Sequence, residues 1–133
     1  MQRRTALPGL VLSALLPHWA QAHHSIAHDF DVSRQIRLEG QVVRFQWMNP
    51  HCAIRLAVTR QDGRVETWDV EGGPPNALLR RGWTKHTLQE GSRIIVSAYP
   101  SRHGGTRANA RDIELQDGKR LDAASSYLQP GRP

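Results

Sequence analysis

The stretch LEGQVVRFQWMNPHCAIRLAV, from Leu38 to Val58, contains two runs of alternating apolar residues that meet at Asn49, Pro50 and His51. Alternation with a period of two is typical of β-strands that bury one face. Because Pro50 has no backbone N–H and disfavours helical geometry at Asn49, the three residues predict a corner between two strands. We expect this corner to lie at one end of a small barrel.

The alternation of side chains in the strand after the corner predicts that His51 points away from the core. The apolar phase of this strand is Cys52, Ile54, Leu56 and Val58. His51 falls on the opposite phase, together with Arg55. A histidine beside a rigid proline and away from the core is a candidate ligand.

The order of the remaining elements predicts the fold. A phase change beside Gly40 indicates a bulge in the first strand, and Asp62-Gly63 predicts a hairpin. Pro75 and Gly82 are placed to begin and end a short helix. Further strands are expected at 93–99 and 108–115, with a short return at 119–121. The fold class is therefore all-β: a small five-stranded OB-like Greek-key barrel with one short helix between strands 3 and 4.

The first 22 residues have the features of an export signal. Arg3 and Arg4 precede a short apolar run that ends in Ala20-Gln21-Ala22, which predicts cleavage after Ala22. The run is too short for a membrane span. The paired arginines also fit a twin-arginine route loosely, and we favour ordinary secretion. The predicted domains are a signal peptide (1–22), a barrel with an N-terminal arm (23–121) and a flexible tail (122–133), in a periplasmic or secreted protein.

Composition narrows the function classes. Cleavage lowers the net charge from +6 to +4, because it removes two arginines and no acidic residue. The cations are scattered, and export argues against nucleic acid as a partner. The lone Cys52 excludes an internal disulfide. No serine lies in a nucleophile elbow and Cys52 has no evident activating partner, so we expect a protein that is not an enzyme.

Cleavage would make His23 the mature N-terminus, where its α-amino nitrogen and ring Nδ1 can chelate one ion. A further imidazole would complete a nitrogen-rich site suited to copper(II), with zinc less well suited. We choose His51 as that imidazole. The other candidate metal ligands are His24, His28 and Asp31. The alternative is that these histidines are simply solvated arm residues. His86 and His103 lie on predicted surface turns and receive no role.

The second hypothesis is a non-catalytic module that binds a small molecule, a peptide or an envelope partner. OB-folds bind through strands 2 and 3 and the adjoining loops. The ligand-binding face would comprise Trp47, Asn49, Arg55, Arg64, Asp69, Glu71 and Trp83. For the two tryptophans we favour core or rim packing over a stacking role, because large aromatic residues usually dominate the cores of small domains. A third hypothesis is an exported protein partner for a larger enzyme.

Four motifs together resemble a family of small exported bacterial proteins classified only as a domain of unknown function. They are His23-His24-Ser25, Trp47-Met48-Asn49-Pro50-His51, Pro75-Asn76-Ala77-Leu78-Leu79-Arg80-Arg81-Gly82-Trp83 and Ala108-Asn109-Ala110-Arg111. The resemblance covers nearly the whole predicted mature chain. It implies a single exported domain and carries no activity, cofactor or site residue with it.

Overall fold

A computed structural model describes residues 26–125 of the chain. A helical turn at 26–29 precedes six strands and one helix. These are β1 (Ile36–Gln46), β2 (Ala53–Thr59), β3 (Val65–Glu71), α1 (Pro75–Arg80), β4 (Arg93–Pro100), β5 (Arg107–Leu115) and β6 (Arg120–Asp122). The predicted signal peptide, His23, His24 and residues 126–133 lie outside the described part.

The first five strands close into a barrel. The first half of β1 pairs with β4 and its second half pairs with β2, which in turn pairs with β3, all antiparallel. A parallel pairing of β3 with β5 closes the circle, and β4 pairs with β5. With α1 between β3 and β4, this is the predicted OB-like barrel. The three-residue β6 adds to the outer side of β5.

The bulge in β1 lies slightly later than the sequence predicts. The register shifts between Val42 and Arg44, so that Val42 is buried while Val43 and Arg44 are both exposed. Gly40 has a different role, because a Cβ there would collide with the backbone oxygen of Ala57. Gly40 thus permits two strands to approach closely, and the side-chain phase changes at the bulge.

The apolar phase of β2 faces the core as predicted. Cys52, Ile54, Leu56 and Val58 are all buried, with Trp83 among the largest fully buried side chains. Gly82, with φ +84°, follows the end of α1 as expected of a helix-terminating glycine.

The predicted tail boundary needs a correction. Ala123, Ala124 and Ser125 are buried. The N–H of Gly73 donates to the Ala123 carbonyl at 2.9 Å, and Trp83 Nε1 donates to the Asp122 carbonyl at 2.9 Å. The carbonyls of residues 122 and 123 thus serve as hydrogen-bond partners for donors of the barrel domain. The packed domain therefore extends past residue 121 to at least Ser125. No helix in the range 26–125 is long and apolar enough to cross a membrane.

Candidate metal-binding site

The N-terminal arm is fixed to the barrel at Phe30. This side chain is buried, and Phe30 forms an isolated β-bridge with Ser101. The N–H of Asp31 donates to the Pro100 carbonyl at 2.8 Å. The arm therefore follows the end of β4 before the chain enters β1.

The loop between β4 and β5 is bonded to the same arm. The N–H of Arg102 donates to the Asp29 carbonyl at 2.8 Å, and Arg102 Nε donates to the Ala27 carbonyl at 2.9 Å. The N–H of His103 donates to Ser101 Oγ at 3.1 Å, which shapes the turn that carries the imidazole. These bonds place His103 beside residues 28 and 29.

His28, Asp29 and His103 form a compact group of possible metal ligands, which we call the HDH cluster. His28 Nδ1 lies 3.0 Å from Asp29 Oδ1, and His103 Nε2 lies 3.5 Å from the same oxygen. One ligand atom from each residue lies within 4.8 Å of the others. The imidazole centroids are 6.2 Å apart with a 50° angle between the ring planes. Two imidazoles and a carboxylate thus converge at the surface.

The spacing suits a first-row metal ion. Ligand atoms about 2.0–2.1 Å from a tetrahedral metal are separated by about 3.3–3.5 Å. The two distances to Asp29 Oδ1, 3.0 and 3.5 Å, are close to that separation. The His28 and His103 side chains are 77% and 64% exposed, so an ion and further ligands can reach the cluster from solvent.

The carboxylate is kept in its metal-binding charge state. A hydrogen bond with His28 is the main cause that lowers the pKa of Asp29, and the bond with His103 adds to it. Asp29 therefore remains an anion at neutral pH. A metal would replace the proton that His28 Nδ1 shares with this carboxylate, since only the free nitrogen lone pair can coordinate.

Of the predicted ligands, only His28 lies in the cluster. Asp31 is occupied elsewhere, because its Oδ1 accepts from Ser33 Oγ at 2.6 Å and from the Ser33 N–H at 3.2 Å. Within residues 26–125, His51 belongs to no group of three ligand residues. His23 and His24 precede the described residues.

The corner around His51 is partly exposed: Asn49 and Pro50 are exposed, His51 is half-buried, and burial begins at Cys52. The Asn49–Pro50 peptide is cis. His51 Nδ1 is buried and has no hydrogen-bond partner in the described chain. Cys52 is 1% exposed and its backbone pairs with Gly72 and Gly73. Burial raises the pKa of the Cys52 thiol, which disfavours the thiolate that a metal requires.

The predicted ligand-binding face is divided between ion pairs and core packing. Arg55 pairs with Asp69 at 2.9 Å, and Glu71 pairs with Arg107 at 2.6 Å. Arg64 turns to Asp62 at 2.7 Å, at the hairpin. These exposed pairs leave little unmatched charge on the face.

The tryptophans of that face belong mainly to the core. Trp83 is 1% exposed and packs against Phe45 with ring centroids 6.1 Å apart, so a ligand cannot stack on it. Trp47 is half-buried against the other edge of Phe45, also at 6.1 Å, while Asn49 is exposed at the corner. The packing interpretation therefore describes Trp83 correctly.

Sequence reasoning missed Asp29 and His103. Ile36 pairs with Ala98, so the start of β1 lies beside the end of β4. In an OB-like barrel, a segment that precedes β1 therefore runs toward the β4–β5 loop. Combining that topology with the histidines of both segments would have indicated the HDH cluster.

The described chain is thus an OB-like barrel that carries a His-Asp-His cluster where its N-terminal arm meets the β4–β5 loop. It belongs to the Family of unknown function (DUF6152), whose model matches residues 11–110. No curated protein matches it.

Two solved structures resemble the chain at low sequence identity. One is the mitochondrial single-stranded DNA binding protein Rim1 from S. cerevisiae, at 16% identity and a TM-score of 0.47, covering 66% of this chain and 95% of that one. Another is the N-terminal domain of PriB from Thermoanaerobacter tencongensis, at 19% identity and a TM-score of 0.43, covering 62% and 96% respectively.

Proposed function

We propose that this protein is an exported metal-binding protein. Its proposed ligands within residues 26–125 are His28, Asp29 and His103. The observation that carries the proposal is the convergence within 4.8 Å of donor atoms from two segments far apart in sequence. Hydrogen bonds from the backbone N–H and the Nε of Arg102 to the arm hold these segments together, so the ligands are largely positioned before an ion arrives.

The donor set favours a borderline transition metal over calcium or magnesium. Imidazole nitrogen suits copper, zinc, iron and nickel, whereas calcium and magnesium select oxygen. In the general order of affinities for divalent first-row metals, copper(II) binds such nitrogen and oxygen sites more tightly than zinc(II) does. Copper(II) is therefore the ion that we propose, with zinc as the weaker competitor.

The N-terminal histidines supply the remaining ligands in this proposal. Cleavage after Ala22 would place the α-amine and ring of His23 five residues before His28. That is close enough along the chain to reach the HDH cluster, because each extended residue spans up to about 3.3–3.6 Å. The cluster thereby replaces His51 as the proposed partner of the terminal chelate. Cleavage and export are part of the proposal.

Calorimetric titration with copper(II) and zinc(II) tests the proposal. The chain starting at His23 is compared with a variant carrying His28→Ala and His103→Ala. Loss of these ligands should weaken copper binding at least about 100-fold, since even residues that merely orient metal ligands contribute 10- to 100-fold. His86→Ala is the matched control, because His86 is exposed and outside the cluster.

The contribution of the terminus is tested separately by adding one residue before His23. If His23 chelates the ion, this extension weakens binding while leaving the 1:1 stoichiometry that the cluster sets. Binding that is unchanged in the double variant, or equally weakened by His86→Ala, would contradict the proposed site.

A further inference from the structure

A second feature of the barrel lies on the other side of the β4–β5 loop. It is a cleft of about 390 Å³ between the start of β1, the β2–β3 hairpin and this loop. We call it the arginine cleft. The residues that define it are Arg34, Arg37, Arg60, Trp68, Gly104 and Gly105. Its volume lies in the range of small-molecule sites, which is about 300–1,000 Å³.

The charge of the cleft is one-sided. Three arginines line it, and none of the described lining residues is acidic. Arg60 is held by Glu66, with Nη2 and Nε at 2.6 and 2.8 Å from Oε2, and its guanidinium lies 5.8 Å from the centroid of Trp68. The Arg60 side chain is therefore held in place at the wall of the cleft, and Glu66 partly neutralises its charge.

The other two guanidinium groups retain donors for a ligand. Arg37 pairs with Ser97 through the β1–β4 ladder, but within residues 26–125 its side chain makes no hydrogen bond or ion pair. Arg34 Nε lies 3.9 Å from Asp31 Oδ2, which is a long ion-pair distance, while Ser33 donates to the other oxygen, Oδ1, at 2.6 Å. Each arginine offers a planar set of N–H donors that matches an oxyanion in two-point contact.

The glycine wall leaves space for a ligand to approach the backbone. Gly104 and Gly105 both have φ +76°, a conformation that favours glycine. A Cβ at either position would meet nothing within 4 Å, so the absence of side chains opens the cleft. His103 of the HDH cluster is the residue immediately before this pair.

We propose that the arginine cleft binds a small organic molecule carrying a phosphate or carboxylate group. In this proposal the guanidinium groups of Arg34 and Arg37 hold the anionic group, and the half-buried Ile36 offers apolar surface beside it. This site uses no residue of the HDH cluster, so it goes beyond the proposed metal function. The shared loop places the two sites next to each other in the fold.

Calorimetry on metal-free, chelator-treated protein at low ionic strength tests this site independently of metal binding. Phenyl phosphate is the probe, and phenol is its uncharged counterpart. We expect saturable binding of phenyl phosphate and none of phenol. Arg34→Gln with Arg37→Gln should weaken binding about tenfold or more, because the variant loses the charge-assisted hydrogen bonds to the anionic group.

Arg44→Gln is the control for charge, since Arg44 is exposed on β1 and does not line the cleft. An equal loss in this variant, or no saturable binding of phenyl phosphate to the unmodified chain, would overturn the proposal. Displacement of phenyl phosphate by a short single-stranded oligothymidylate of higher affinity would overturn the small-molecule assignment. Melting curves establish that each variant is folded.

Discussion

The corner at His51 and the HDH cluster both contain histidine, but their surroundings differ. His51 Nδ1 is buried without a partner in the described residues, and the neighbouring Cys52 is bonded through its backbone to Gly72 and Gly73. In the HDH cluster, the His28 and His103 side chains are mostly exposed and share the Asp29 carboxylate. The corner has one half-buried imidazole, whereas the cluster combines two exposed imidazoles with a half-buried carboxylate.

Within residues 26–125, the distinctive corner motif contributes His51 to no group of three possible ligands, whereas His28 and His103, which lie in no such motif, belong to one. The stretch from Trp47 to His51 is conspicuous in the sequence because it combines aromatic packing with the proline that turns the chain between strands. The cluster is inconspicuous in sequence because its members come from a short arm and a distant loop. Tertiary contacts bring them together, and no local pattern reveals them.

The largest expected effect concerns the aromatic packing behind the corner. Trp83→Ala removes a fully buried side chain that contacts Phe45 and donates to the Asp122 carbonyl at 2.9 Å. We expect a loss of about 3–5 kcal/mol in the free energy of unfolding, measured by urea denaturation. His28→Ala should change stability by less than about 0.5 kcal/mol, because its side chain is exposed. Similar losses in both variants would abolish the contrast between the two regions.

A smaller effect distinguishes the two glycines that pair with the corner. A Cβ on Gly73 would lie 2.8 Å from the Ala124 oxygen, whereas one on Gly72 would lie 3.5 Å from its nearest neighbour. Gly73→Ala should therefore destabilise the fold by about 1–3 kcal/mol. Gly72→Ala is the matched control and should have a much smaller effect. Equal melting temperatures of the Gly73→Ala and Gly72→Ala variants would show that the C-terminal segment does not pack tightly on the corner.

The smallest effect concerns the pH dependence of the HDH cluster. The lowered pKa of Asp29 keeps its carboxylate ionised as the pH falls, so the histidines are the groups that lose a metal to protons. Copper affinity should fall as the pH is lowered, because protons compete with the metal for the imidazole nitrogens. Asp29→Asn should weaken binding about tenfold at every pH and leave this slope unchanged. A slope that disappears in the variant would assign the pH dependence to the carboxylate.

The fold could be predicted because its determinants are local. The alternating phases of β1 and β2, the Asp62-Gly63 hairpin and the Pro75 to Gly82 helix each specify one element, and their order specifies the barrel. The exact position of the bulge could not be predicted from the sequence, because Gly40 is required for a close approach of two strands and does not mark the bulge. The close approach of Gly40 to Ala57 depends on strand pairing.

The site was predicted only in part, for a related reason. His28 was identified from its place in a histidine-rich arm. Asp29 and His103 were missed because the arm and the β4–β5 loop meet through backbone bonds of Arg102, Asp31 and Phe30 that leave no periodic signature. The packing of residues 122–125 was also missed, because small residues such as Ala123 and Ser125 are compatible with either a tail or a close contact.

The most direct test of the metal proposal is imidazole ¹⁵N NMR during titration with zinc(II), which is diamagnetic and binds the same donors. The proposal predicts that His28 Nδ1 and His103 Nε2 shift together and saturate at one ion per chain, while His51 and His86 do not move. A shift of His51 with His28 and His103 unchanged would contradict the assignment and return the site to the corner. No shift of any imidazole would refute metal binding by these histidines.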